Sequence, residues 1–154
     1  MAINTSILGS LLIPLQNKLL LLPNVSVAEL IPFKKPVPAT KTKTPDWHLG
    51  TLSWRGVSVP VISFEVLNGD TAAELDDDTR IAVFNEAGDS EKLPFFAMVT
   101  RGIPRSIKIT AVDVVKNNEK VGPAEVMAVT VQGEQAIIPN VDFIEKAILK
   151  AKIV

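Results

Sequence analysis

The stretch Trp47-His48-Leu49-Gly50-Thr51-Leu52-Ser53-Trp54-Arg55-Gly56-Val57-Ser58-Val59-Pro60-Val61-Ile62-Ser63-Phe64 decides the fold. Residues 51–54 and 57–63 are rich in β-branched and aromatic side chains, and Arg55-Gly56 supplies a two-residue turn between them. The pattern is a hairpin that leaves a guanidinium at its tip. Just upstream, Pro45 and Gly50 bracket residues 46–50, the signature of one helical turn with proline near its start and glycine at its stop. In that reading Gly50 lets the chain leave the turn by a backbone conformation that costs other residues more. Pro60 sits late in the second strand, where a missing N–H is tolerated only at an edge or a bulge.

The flanks read the same way. Residues 7–15 and 19–22 are short apolar runs joined by a Gln16-Asn17 turn, which predicts two buried strands. Residues 25–30 predict a further strand. From residue 31 to residue 45, Pro32, Pro36, Pro38 and Pro45 alternate with Lys34, Lys35, Lys41 and Lys43, so the chain forms an extended Pro/Lys-rich surface loop. Residues 64–67 give a short helical turn closed by Asn68-Gly69, and residues 72–78 an acidic loop. Residues 80–85 and 93–100 predict a second hairpin whose polar connection contains Gly88. Residues 105–110 predict a strand, 116–123 a polar loop, and 126–132 with 135–139 a third hairpin around Gly133-Glu134. The tail carries Val141, Ile144, Ala147, Ile148 and Ala151 at helical spacing, with Lys146, Lys150 and Lys152 suiting the helix dipole near its end. Hairpins at short intervals with a single long helix predict a mainly β chain built of small barrels or a sandwich.

Composition narrows the function. The 154 residues are 47% hydrophobic and 21% charged, an ordinary globular balance, with a net charge of −1. Such a chain has no global field for nucleic acid or an anionic membrane, so any partner must meet a local patch. The chain has no cysteine, which removes disulfides, thiolate nucleophiles and Cys-based zinc sites, and its single histidine, His48, cannot build a multi-His metal site. No charge precedes Ile7, and Pro14, Gln16, Asn17 and Lys18 interrupt the N-terminal apolar stretch. It is neither a signal peptide nor long enough to span a bilayer, so we expect a cytoplasmic protein without membrane insertion.

The 47–64 stretch also resembles the signature of the CheW-like domain of bacterial chemosensory adaptors: Leu49-Gly50, an aliphatic strand ending in Arg55-Gly56, then Pro60-Val61 and an aliphatic–polar–aliphatic step. Residues 20–30, 95–109 and 136–148 resemble the family's early strand, later strand pair and closing strand plus helix, so the likeness spans about residues 6–150. Leu52-Ser53-Trp54-Arg55-Gly56 with Ile62-Ser63-Phe64-Glu65 is most similar to the ChpC-type branch, accessory adaptors of type IV pilus chemosensory systems. The resemblance implies a single domain over residues 1–154, made of two intertwined five-stranded β-barrels packed over a shared apolar interface, with a C-terminal helix. It implies no catalysis and no cofactor, and two partners: the regulatory domain of a CheA-type histidine kinase and the cytoplasmic tip of a chemoreceptor. Carried over by position, Arg55 is a partner contact at the barrel tip, Val27 and Glu29 line the receptor-facing groove, and Val57, Val59 and Val61 belong to the strand that supports the kinase contact. Two positions depart from the family pattern. Ser53 stands where asparagine is usual, and Thr100-Arg101-Gly102 stands where Val-Asp is frequent.

Several residues admit plainer roles. Arg55 could cap its own hairpin, Val27 could be core, and Glu29 could be a solvated strand residue. Trp47 and Trp54 suit an interface, with barrel burial the stronger expectation for Trp47. Arg101, Arg105 and Lys108 form a local basic cluster of a kind that is most often solvated surface. The alternative of a small β-barrel nucleic-acid-binding module rests on the fold class, since small barrels bind oligonucleotides with basic grooves and stacking aromatics; the net charge of −1, the absence of tyrosine and the total of eight Phe and Trp residues weigh against it. Asp76, Asp77 and Asp78 lack the ligand spacing and glycine of a calcium loop. His48 beside Asp46 invites an acid–base reading, but no nucleophile motif accompanies it.

Overall fold

The computed structural model describes residues 7–38, 44–85 and 93–151. The strands are β1 (Leu8–Pro14), β2 (Leu19–Pro23), β3 (Val27–Pro32), β4 (His48–Trp54), β5 (Val57–Ile62), β6 (Thr79–Asn85), β7 (Phe95–Arg101), β8 (Arg105–Ile109), β9 (Val114–Lys116), β10 (Glu125–Val131) and β11 (Glu134–Pro139). Two helices accompany them, α1 (Phe64–Leu67) and α2 (Val141–Lys150). One sheet has the order β8-β1-β2-β11-β10-β9 and the other β3-β6-β7-β5-β4. The chain therefore leaves the first sheet after β2, builds all of the second, and returns at β8. The mainly β, two-sheet architecture with a C-terminal helix is the one the sequence implies. The first sheet carries six strands rather than five because the three-residue β9 pairs with β10.

The long apolar runs follow from burial on both faces. In β6, Ile81 and Val83 point into a cluster enclosed by the second sheet, while Ala82 and Phe84 point into the layer between the sheets. In β7, Ala97 and Val99 take the first side and Phe96 and Met98 the second. β1 and β2 repeat the pattern, with Leu12 and Leu21 inside the first sheet and Ile13, Leu20 and Leu22 in the shared layer. Phe84 and Phe96 stack there with ring centroids 5.0 Å apart. Helix α2 adds Ile144 and Ile148, both fully buried, and starts on Asn140, whose side chain accepts from the Phe143 N–H at 3.0 Å.

A polar clasp joins the sheets beside this layer. Asn68 Oδ1 accepts from the Ala124 N–H at 3.0 Å. Lys18 Nζ lies 2.7 Å from the buried Glu125 carboxylate and 3.6 Å from Asp70, and Glu125 also accepts from the Gly122 N–H. The clasp borders a cleft of about 400 Å³ where burial pushes the Glu65 carboxyl above its ordinary value. Asp70 adds to that rise, while backbone hydrogen bonds and Lys18 oppose it.

Local expectations are corrected at three places. Residues 46–50 do not form a helical turn: after a turn at Asp46-Trp47, β4 already begins at His48. Gly50 lies within that strand at φ +133°, beside a register shift between His48 and Gly50. The backbone of the next residue, Thr51, is paired antiparallel with Val37, and a Cβ on Gly50 would sit 2.3 Å from the Val37 carbonyl oxygen. The glycine admits a crossing segment of the 31–45 loop rather than ending a helix. The third hairpin turns at Gln132-Gly133, one residue earlier than expected, because a tight two-residue turn takes two consecutive positive φ values, here 50° and 77°. Pro60 lies in an interior strand, but the β5–β7 pairing begins only at Val61, so its missing N–H breaks no ladder bond on that side. The centre of the Pro/Lys loop, the Gly88 connection and Lys152 lie outside the described residues.

Gly50→Ala is expected to lower the unfolding free energy by at least about 2 kcal/mol, since it combines a clash with backbone and a disfavoured φ. Urea denaturation checks this, and a midpoint equal to wild type would contradict the tight Val37 crossing.

Candidate functional site

The β4–β5 hairpin closes on Trp54 paired with Val57, leaving Arg55 and Gly56 as the two loop residues at φ 48° and 76°. This is the left-handed geometry that matches the twist of the flanking strands. It projects the Arg55 side chain outward, 65% exposed. The guanidinium is nevertheless held on two sides. Its carbon lies 4.6 Å from the centre of the Trp54 ring, and its Nη2 donates to Glu29 Oε1 at 3.1 Å. The same Glu29 oxygen accepts from Trp54 Nε1 at 2.9 Å.

Glu29 reaches this position from the far end of the sheet. β3 and β4 are its two terminal strands, so the Glu29–Trp54–Arg55 contact bridges the seam across which the sheet curls. A β-bulge between Val27 and Glu29 sets the direction of the side chains. Val27 is half-buried against the shared layer, and Ala28 packs toward the interior of the second sheet. Trp54 is 8% exposed and meets Phe95 of β7 edge to face at 4.8 Å. Farther along β3, Leu30, Ile31 and Pro32 line an open apolar groove of about 240 Å³ with Ile103 and Pro104, and Arg80 at its side. Ile103 is 81% exposed.

A family model described as the CheW-like domain matches residues 9–147. The chain belongs to the CheW-like domain family. The scaffolding protein TtCheW from Thermoanaerobacter tengcongensis has a similar structure, with a TM-score of 0.71 and 16% sequence identity over 87% of this chain and 84% of that one. At that identity the likeness concerns the fold. No curated protein sequence matches the chain.

Against this CheW-like frame the expected contact residues divide. Glu29 and Arg55 meet at the surface, and Val27 and Val57 are half-buried beside them. Val59 and Val61 are 0% exposed inside the second sheet. They offer no surface to a partner, and their role is to hold the strand that ends in the hairpin. The tryptophans also exchange places relative to expectation: Trp54 is the deeply buried one, while Trp47 is half-buried against the shared layer. The link between Glu29 and Trp54 was not anticipated. Twenty-five positions separate them, and the only local signal is an indole immediately before the arginine.

The remaining candidates resolve into packing. Arg101 is paired with Asp76, which holds that carboxyl below its ordinary range, and Arg105 is paired with Glu134. These pairs offset two of the three charges of the Arg101, Arg105 and Lys108 cluster. Asp76 also accepts from the Asp78 N–H at 2.9 Å, so the acidic run caps its own turn. Among the described residues no group of three or more His, Asp or Glu is arranged to hold a metal ion. His48 is 8% exposed, and neither ring nitrogen completes a hydrogen bond. Burial lowers its pKa below 6.5, opposed in part by the Gly50 backbone. A ring so enclosed presents no face to a substrate. No helix among the described residues is long and apolar enough to cross a membrane.

Two outcomes follow. Glu29→Ala leaves the Trp54 indole N–H without its acceptor and should cost about 1–2 kcal/mol of stability, whereas Glu29→Gln keeps an acceptor and should cost under about 1 kcal/mol. Denaturant titration separates them, and equal losses would contradict the indole bond. For His48, the unfolded chain takes up a proton near pH 6.5 while the folded ring resists it. Stability is then full above that value and declines as pH falls through it. The wild-type unfolding free energy should drop more steeply from pH 7.5 to 5.5, in about half-unit steps, than that of His48→Gln, and parallel profiles would exclude the buried neutral ring.

Proposed function

We propose that this chain is a non-catalytic, cytoplasmic adaptor that couples the tip of a chemoreceptor to the regulatory domain of a CheA-type histidine kinase. The observation that carries the reading is Arg55, which is exposed at a hairpin tip yet already oriented by Glu29 and Trp54. An arginine held in this way is ready to meet a planar acceptor on another protein. The apolar groove beside β3 supplies a second contact of different character, and the exposed Ile103 is the kind of side chain that a partner's apolar residues cover. Val27 and Glu29 would serve the receptor side, and the strand of Val57, Val59 and Val61 would brace the kinase side. The similarity of residues 52–56 and 62–65 to the ChpC-type branch points to a type IV pilus system as the setting.

The mechanism is simultaneous occupation of two surfaces on one rigid body. A receptor rearrangement then changes the geometry of the kinase without any chemistry on the adaptor. Mixing the folded chain with the kinase regulatory domain at about 50 μM, well above the Kd of an ordinary transient complex, should give a complex by light scattering. Its absence would overturn the adaptor reading. Arg55→Glu should weaken binding of a soluble receptor-tip hairpin fragment by about tenfold or more while leaving kinase-domain binding within about twofold. An unchanged receptor affinity would remove Arg55 from the contact.

A further inference from the structure

We propose that Trp54 is a positioning residue for Arg55, fixing both the guanidinium and its carboxylate partner so that the hairpin tip meets its target already ordered. The inference rests on the reading of Arg55 as a partner contact. An exposed arginine ordinarily samples many rotamers, and a binding partner must immobilise it at a cost in entropy. Here both restraints on Arg55 pass through one side chain. The indole face lies under the guanidinium at 4.6 Å. The indole N–H holds Glu29 Oε1 at 2.9 Å, and that same oxygen accepts from Arg55 at 3.1 Å.

The anchor itself cannot drift. Trp54 is 8% exposed, packs edge to face on Phe95 and lies in strand register opposite Val57. Phenylalanine would supply the face without the donor, and leucine neither. Indole is the side chain that does both, so the residue preceding the arginine sets how rigidly the tip is presented. Ser53, on the other side of Trp54, is exposed and pairs across the hairpin with the equally exposed Ser58, so it contributes no such restraint.

The test uses the full chain as wild type, Trp54→Phe, Trp54→Leu, Arg55→Ala and the two double variants. The ¹⁵N heteronuclear Overhauser effect at Arg55 Nε–H reads side-chain order without any partner. It should be high in wild type, reduced in Trp54→Phe and lost in Trp54→Leu. Titration with the receptor-tip hairpin fragment should show about threefold weaker binding for Trp54→Phe and about tenfold for Trp54→Leu, with no further loss when either is placed on Arg55→Ala. An Arg55 signal as mobile in wild type as in the variants would overturn the proposal. So would equal binding losses on the wild-type and Arg55→Ala backgrounds, which would make Trp54 a plain packing residue. If Trp54→Leu fails to fold, Trp54→Phe carries the comparison. An ordered Arg55 together with unimpaired binding by Arg55→Ala would defeat the partner role of Arg55 and leave its positioning by Trp54 standing.

Discussion

The apolar layer between the two sheets is the constraint on which everything else depends. Phe64, Phe84, Phe96, Leu20, Ile62, Met98, Ile144 and Ile148 fill it with almost no exposure. Because β1, β2, β6 and β7 bury both faces, polar chemistry has no place along most of their length. The polar groups described in the interior are structural: Asn68 accepts from Ala124, Glu125 holds Lys18 beside Asp70, and burial disfavours the charged form of His48. Any function must then lie where strands end. The hairpin tips and the open groove beside β3 are those places.

The site at Arg55 is a by-product of closing the second sheet. A curled five-stranded sheet brings its terminal strands β3 and β4 together but does not pair them as a ladder over this stretch. Side chains must close the seam. Glu29 does so by accepting from Trp54 and Arg55 at once, so the group that completes the sheet also orients its tip. The bulge beside Val27 is what lets Val27 and Glu29 leave simple alternation, one toward the shared layer and the other toward the seam. Stability and presentation are thereby tied to the same carboxylate.

The hairpins were legible in the sequence because their determinants are local: Arg55-Gly56, Gly133 and the β-branched runs specify turn and strand within a few residues. Helix α2 was legible for the same reason. Gly50 was misread because the local cue of proline, polar turn and glycine is shared by a helix stop and a bulged strand, and the deciding neighbour, Val37, sits thirteen residues away. The burial of Val59 and Val61 could not be told from a surface role, since a strand with one covered face and a strand in a closed core both read as apolar. The Glu29–Trp54–Arg55 cluster depends on two chain ends of one sheet meeting, which no spacing rule encodes. The partners of the basic cluster were hidden for a related reason: Arg101 and Arg105 meet Asp76 and Glu134 only in the folded chain.

The charge arrangement also bears on how such a surface can work. The chain's net charge is −1, and two of the arginines that could have formed a basic patch are paired internally. Long-range steering is therefore weak, and the partner contact proposed for Arg55 would work at short range. An exposed ion pair contributes little affinity by itself, about 0–1 kcal/mol, because solvent screens it. Its value lies in discrimination, since a wrongly charged partner is penalised at the tip. Affinity has to come from apolar area, and the groove lined by Leu30, Ile31, Pro32, Ile103 and Pro104 is where such area remains uncovered near the same strand. Glu29, which orients Arg55, and Leu30, Ile31 and Pro32 of the groove all belong to β3, so a partner that met the tip as proposed would find the apolar groove along the same strand, with the shared layer behind it.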